Sequence, residues 1–154
     1  MRIYRISSCN YITDISGKGA ALYGGRWNNK NTYILYTAES RALALLEAVV
    51  HIGKVKDLGF CILTLELPGD LVEIYPQNEL PSDWKKNPAP DHLKKIGDDF
   101  IKSNRKLALK LPSVIMEEES NILINPAHPD FIKIKIVGTK KIQIDNRLFY
   151  GNPQ

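Results

Sequence analysis

LALKLPSVIMEEESNILINPAHPDFIKIKIVGTKKIQI, Leu107–Ile144, holds four short apolar or alternating runs and no helical stripe. Leu107–Met116 and Asn121–Ile124 read as strands bounded by Pro, Ser and Asn. Phe131–Val137 alternates, with Ile132, Ile134 and Ile136 on one side and Lys133 and Lys135 on the other. Lys141–Ile144 is expected to pair with it. A doubly wound parallel sheet needs a crossover helix between successive strands. A strand-only run therefore argues for an α+β fold.

Upstream, Pro90-Asp91 opens a predicted helix to about Asn104, with Leu93, Ile96, Phe100 and Ile101 as its apolar stripe. Pro76, Pro81, Pro88 and Pro90 mark a long irregular connection before it. Phe60–Leu67 and Leu71–Tyr75 read as strands, as do Met1–Ile6 and Tyr33–Tyr36. Between the last of these and Phe60, Thr37 or Ser40 caps a helix that Gly53 ends. Ala42, Leu43, Leu45, Leu46, Val49 and Val50 form its predicted buried face. Glu47 falls at the rim of that face and His51 toward solvent. The Gly- and Asn-rich segment Ser16–Asn31 is expected to be loop. The expectation is a single compact domain over residues 1–150, a mixed, mostly antiparallel sheet with a few helices, and a frayed tail at 151–154.

The 154 residues carry 21 Lys and Arg against 17 Asp and Glu, a net charge of +4. That mild, interleaved excess permits nucleic-acid binding without demanding it, and suits a small anionic ligand equally well. Cys9 and Cys61 lie far apart with no CxxC, which predicts two free thiols in a reducing compartment. The N-terminal MRIYRISS has no apolar core of a signal peptide, and no run approaches the roughly 18 apolar residues of a membrane span. A cytoplasmic protein is expected. His51, His92 and His128 lack metal-ligand spacing, so no metal is expected. No GxGxxG, Walker loop or GxSxG is present.

Gly24-Gly25-Arg26-Trp27-Asn28 is the most informative stretch. Two glycines allow a close backbone approach to a ligand, and the guanidinium that follows can grip a phosphate or carboxylate. A surface Arg and a core Trp beside a turn would read the same way. Arg5 in the first strand, Tyr36 at the end of another, Glu47 on a helix and Ser113 in an apolar run each have an ordinary structural explanation taken singly.

Taken in order, Tyr4-Arg5, Gly24–Asn28, Tyr36–Glu47 (YTAESRALALLE), Leu111–Val114 (LPSV) and Asn121–Phe131 (NILINPAHPDF) resemble the RES domain, a family named for an Arg, a Glu and a Ser. The resemblance assigns these to Arg26, Glu47 and Ser113, with Ser120 the neighbouring alternative. Gly97-Asp98 also fits the family pattern. The resemblance implies a fold similar to ADP-ribosyltransferases and diphtheria-type toxins. It implies a toxin made beside an Xre-type helix-turn-helix antitoxin, homo-oligomeric or not within that complex, with neither direct nucleic-acid nor membrane binding. It implies NAD as substrate, cleaved at the nicotinamide–ribose bond by hydrolysis or phosphorolysis, or used to ADP-ribosylate a protein. In that role Glu47, Arg26 and Ser113 are catalytic, and Arg5, Arg26, Trp27, Asn28 and Tyr36 bind NAD. The rival readings are a ribonuclease toxin and an inactive binding module on the same scaffold.

Overall fold

Along the chain of the computed structural model run β1 (Arg2–Ser8), α1 (Lys18–Tyr23), β2 (Leu35–Ala38), α2 (Arg41–Ile52), β3 (Phe60–Glu66), β4 (Val72–Ile74), α3 (Lys94–Ser103), β5 (Ala108–Pro112), β6 (Ser120–Ile124) and β7 (Lys135–Ile142). The structure describes residues 1–52 and 59–149. The strands form one sheet in the order β4-β5-β6-β2-β1-β3-β7. Among the described residues, only β4 and β5 pair in parallel, and the other pairs are antiparallel. The α+β class and the mixed, mostly antiparallel sheet are as expected.

Period-2 alternation sorts the strand residues onto two faces. One face buries Ile3, Leu35, Leu63, Leu65, Ile122 and Ile124 together. On the other, Leu93, just before α3, and Phe100 within it pack over Trp27, Leu109, Leu111 and Leu123. Beside α3 on that face, Leu43 and Ala44 of α2 pack on Tyr4 and Ala38. The sheet has a seam there. β1 and β2 meet only at Tyr4↔Ala38, whereas β1 and β3 pair from Arg2↔Glu66 to Ser8↔Phe60. α2 bridges that seam.

Ser40 caps α2 as expected: its Oγ accepts from the Leu43 amide at 3.0 Å. The expected end at Gly53 lies outside the described residues, as does the 151–154 tail. The buried face of α2 differs from the expected one. Leu43, Ala44 and Ala48 are buried, Leu45, Leu46 and Val49 are half-buried, and Ala42 and Val50 are exposed. Small residues let the helix sit close to the sheet, and Glu47 lies between Leu43, Ala44 and Ala48 in the helical wheel, on the inner face and not at its rim.

Three further expectations are corrected. Residues 16–31 contain the short α1, whose Ala21 is buried. Phe131–Lys133 belong to a 3₁₀ helix, Pro129–Lys133, with His128 accepting from the Asp130 amide at its start. Ile132 is consequently exposed. The strand begins at Lys135, includes Lys141 and Ile142, and pairs with β3. Lastly, Cys9 and Cys61 form a disulfide with an S–S distance of 2.06 Å. The antiparallel register explains it. Cys61 pairs with Ser7, and the Cys9 amide bonds to Gly59 O, so the two thiols are diagonal neighbours on one face. Fifty-two residues of separation concealed that pairing, and the cysteine argument for a reducing compartment falls with it. No helix among the described residues is long and apolar enough to cross a membrane.

Candidate active site

Glu47 projects from α2 toward the end of the sheet where β5 leaves and β6 begins. Its Oε1 accepts from Ser113 Oγ at 2.9 Å and from Asn121 Nδ2 at 2.6 Å. Ser113 follows β5 and is fully buried. Its backbone amide bonds to Glu119 O at 2.8 Å, which closes the β5–β6 connection. Its Oγ accepts from the amides of Ile115 (3.1 Å) and Met116 (3.3 Å). Asn121 lies opposite Ala38 of β2 and Leu111 of β5. Two segments distant in sequence, α2 and the β5–β6 pair, thus meet at one carboxylate oxygen. The alternative serine, Ser120, instead donates its amide to Glu39 Oε1.

Arg26 reaches the same neighbourhood from the glycine loop. Its Nη1 donates to Trp84 O at 2.9 Å and Lys86 O at 3.0 Å. Those two bonds use both protons of Nη1 and fix the fork. Nη2 and Nε bring three further N–H donors, which have no hydrogen-bond partner among the described residues. Burial lowers the guanidinium pKa, and the nearby Glu47 and Tyr36 raise it. Glu47 is thus near enough for its charge to act on Arg26, but no ion pair within 4 Å joins the two among the described residues.

The loop that carries Arg26 is held from below. Tyr36 Oη donates to Asn28 Oδ1 at 2.7 Å and accepts the Trp27 amide at 3.2 Å. Burial pushes the Tyr36 phenol well above its ordinary range. Asn28 is fully buried, and its Nδ2 donates to the carbonyls of Ala20, Asn29 and Thr32. Trp27 is 2% exposed, packed in the α3 core. Gly25 has to be glycine, because a Cβ there would stand 2.7 Å from Tyr36 Oη. Gly97 has the same role on α3, where a Cβ would stand 2.1 Å from Trp27 O. Asp98 completes the clamp, accepting from the Asn29 amide (3.1 Å) and Asn29 Nδ2 (2.8 Å).

The residues expected from sequence thus fall into three groups. Arg26, Glu47 and Ser113 come together. Trp27, Asn28 and the Tyr36 hydroxyl support the loop from inside, so Trp27 and Asn28 present no side-chain surface to a ligand; only the half-buried Tyr36 ring remains available. Arg5 stands apart. Tyr4 and Ile6 pack toward α2, so alternation turns Arg5 to the opposite face. There its Nη1 donates to the carbonyls of Tyr11, Ile12 and Asp14. Two contributions were missed in the sequence: Asn121, visible as a polar residue opening the apolar run NILI, and the carbonyls of Trp84 and Lys86, invisible because every residue has one.

A cavity of about 460 Å³ between α3 and the β4–β5 edge is lined by Glu73, Tyr75, His92, Ile96, Arg105 and Leu109 among others. It includes none of Arg26, Glu47 and Ser113, and its charges are already paired, Arg105 with Glu73 and His92 with Asp83. Among the described residues, no group of three or more His, Cys, Asp or Glu is gathered as for a metal ion.

The RES domain matches residues 2–146. The chain belongs to the RES domain family. Among its relatives, Toxin Res of Photorhabdus laumondii is 36% identical over 96% of this chain and 97% of its own. The Prs ADP-ribosylating toxin of Sphingobium sp. is 40% identical over 88% of this chain and 86% of its own. Toxin Res of Yersinia enterocolitica is 35% identical, covering 85% and 88%. A chain of the crystal structure of the M. tuberculosis MbcT–MbcA toxin–antitoxin complex superposes with a TM-score of 0.73. That match covers 92% of this RES chain and 83% of the other at 16% identity, a likeness of fold.

Proposed function

We propose that this RES protein is a toxin that breaks the nicotinamide–ribose bond of NAD, acting in the cytoplasm and restrained by an Xre-type antitoxin. The observation that carries the reading is a Glu47 carboxylate held on one oxygen by Ser113 and Asn121, near an Arg26 that two carbonyls fix with three N–H donors left over. NAD offers a partner for each. Its pyrophosphate suits a preformed guanidinium fork. Loss of nicotinamide builds positive oxocarbenium character on the ribose, as in glycoside cleavage. A carboxylate held beside that carbon stabilises the charge as it develops. The C–N bond breaks with its electron pair leaving on nicotinamide, and the acceptor's lone pair forms the new bond to the same carbon. The half-buried Tyr36 ring offers an apolar face to the departing base. The toxin names of the relatives support this reading, and the toxin–antitoxin complex that shares the fold supports the antitoxin partner.

Water or phosphate as acceptor gives a glycohydrolase or a phosphorylase. A protein acceptor gives an ADP-ribosyltransferase, the second reading, favoured by the name of the Sphingobium relative. Purified protein incubated with NAD labelled in the ADP-ribose part, with and without phosphate, separates them. Free ADP-ribose, ADP-ribose phosphate or labelled protein is expected in the three cases respectively. Glu47→Gln should slow nicotinamide release by at least about 10²-fold with an unchanged melting temperature. Release at the wild-type rate would remove Glu47 from the mechanism.

A further inference from the structure

We infer that Asn121 is a positioning residue, which acts with Ser113 to hold the Glu47 carboxylate in one orientation and present Oε2 to the substrate. The inference rests on the NAD-cleaving reading for the reaction it serves, and on geometry alone for the positioning itself.

The hydrogen-bond inventory at Ser113 is closed. A hydroxyl has two acceptor sites and one proton. The acceptor sites are taken by the Ile115 and Met116 amides, so the proton has Glu47 Oε1 as its destination. A fully buried Ser113 with every valence engaged cannot also reach a ligand. It acts through Glu47. That replaces the catalytic role implied by the resemblance with a positioning one.

Asn121 approaches the same oxygen from β6. With Nδ2 at 2.6 Å, the amide orientation follows from the partner's charge: a carboxylate only accepts, so nitrogen and not oxygen faces it. Both donors converge on Oε1, and among the described residues no hydrogen bond reaches Oε2. A carboxylate gripped on one oxygen from two directions has lost rotation about its last torsion. Its other oxygen is then the one available to the ribose. A free Glu side chain gives up rotamer entropy when it is fixed. Here that ordering is complete before substrate arrives, the condition under which an electrostatic group acts in the transition state without reorganising. The anchor points are stiff, since Ser113 sits on the closed β5–β6 turn and Asn121 within a paired strand.

Asn121→Leu keeps the shape and removes the donor. Asn121→Asp keeps the shape and replaces the donor with an acceptor, and serves if the leucine variant folds poorly. Steady-state NAD turnover, thermal melting and a high-resolution crystal structure of the folded variant test the inference. The expected result is a kcat lowered roughly 10- to 100-fold, KM within about twofold of wild type, and Glu47 occupying more than one side-chain conformer. A purely structural role for Asn121 would lower the melting temperature and leave kcat and the Glu47 conformer unchanged, which would overturn the inference. So would a loss confined to KM. If the wild-type protein turns over no NAD, the functional reading fails by itself. The conformers of Glu47 then decide the positioning: a single unchanged conformer in the variant refutes it, and several support it.

Discussion

Asp98 shows how a single side chain outside the Arg26–Glu47 pair can hold the glycine loop. Burial raises its carboxyl pKa, but hydrogen bonds from Asn29 and Thr32 and the charge of Lys102 outweigh that, so the group lies below the usual carboxylate range. A carboxyl depressed in the folded state stabilises the fold in full above its unfolded pKa, about 3.9. That contribution disappears as pH falls through the lower folded value. Asp98→Asn keeps an acceptor for the Asn29 amide but has no charge to lose. Urea denaturation of wild type and Asp98→Asn should therefore show the wild type more stable at pH 6.5. The gap should narrow as pH falls below about 3.9. A gap that stays constant over that range would mean that Asp98 does not hold the loop as a carboxylate.

At the scale of elements, the glycine loop owes its position to the close approach of α3, and Gly97 permits that approach. Alanine is the better helix former by about 1 kcal/mol, so an isolated helix would gain from Gly97→Ala. In the protein the added Cβ would stand 2.1 Å from Trp27 O, a backbone atom that cannot swing aside. Overpacking of this kind costs about 1–3 kcal/mol, so the variant should be less stable, with Arg26 displaced. Gly19 in α1 is the control, since nothing lies within 4 Å of its Cβ position. Gly19→Ala should be neutral or slightly stabilising. Equal effects at both positions would refute the packing argument. This scale also sets what was legible in the sequence. The caps, periods and turn residues foretold α2, α3 and most strands, because those signals are local. The inner face of α2 was not legible. Counting apolar residues selects the Leu45–Leu46–Val49 side, whereas close packing selects the alanines and function places a carboxylate among them. The split between the 3₁₀ turn at Pro129 and β7 was equally hidden, because Ile-Lys alternation continues across it. Arg26, Glu47 and Ser113 were legible only as an ordered set. That Trp27 and Asn28 turn into the core and Arg5 to the opposite face of the sheet was not legible, because adjacency in a motif does not say which way a side chain points.

At the scale of the molecule, the sheet is two halves joined at Tyr4↔Ala38, and the Cys9–Cys61 bridge fastens only one of them, between β1 and β3. A bridge spanning 52 residues removes loop-closure entropy from the unfolded chain worth about 4 kcal/mol on the chain-entropy model. Cys61 packs with the core on the sheet face that α2 does not cover, while Glu47 rides on α2 over the other face. Stability and activity should therefore part company on reduction. Protein purified without reductant should present no titratable thiol in denaturant. Reduction and alkylation, or Cys9→Ser with Cys61→Ser, should lower the urea midpoint by the equivalent of up to that amount. NAD turnover measured well below the transition should stay within about twofold of the oxidised protein, because no contact of Glu47 or Arg26 passes through either cysteine. Two free thiols in the untreated protein would refute the bridge. A parallel loss of turnover at an unchanged midpoint would instead mean that the β1–β3 half is coupled to the active site across the seam.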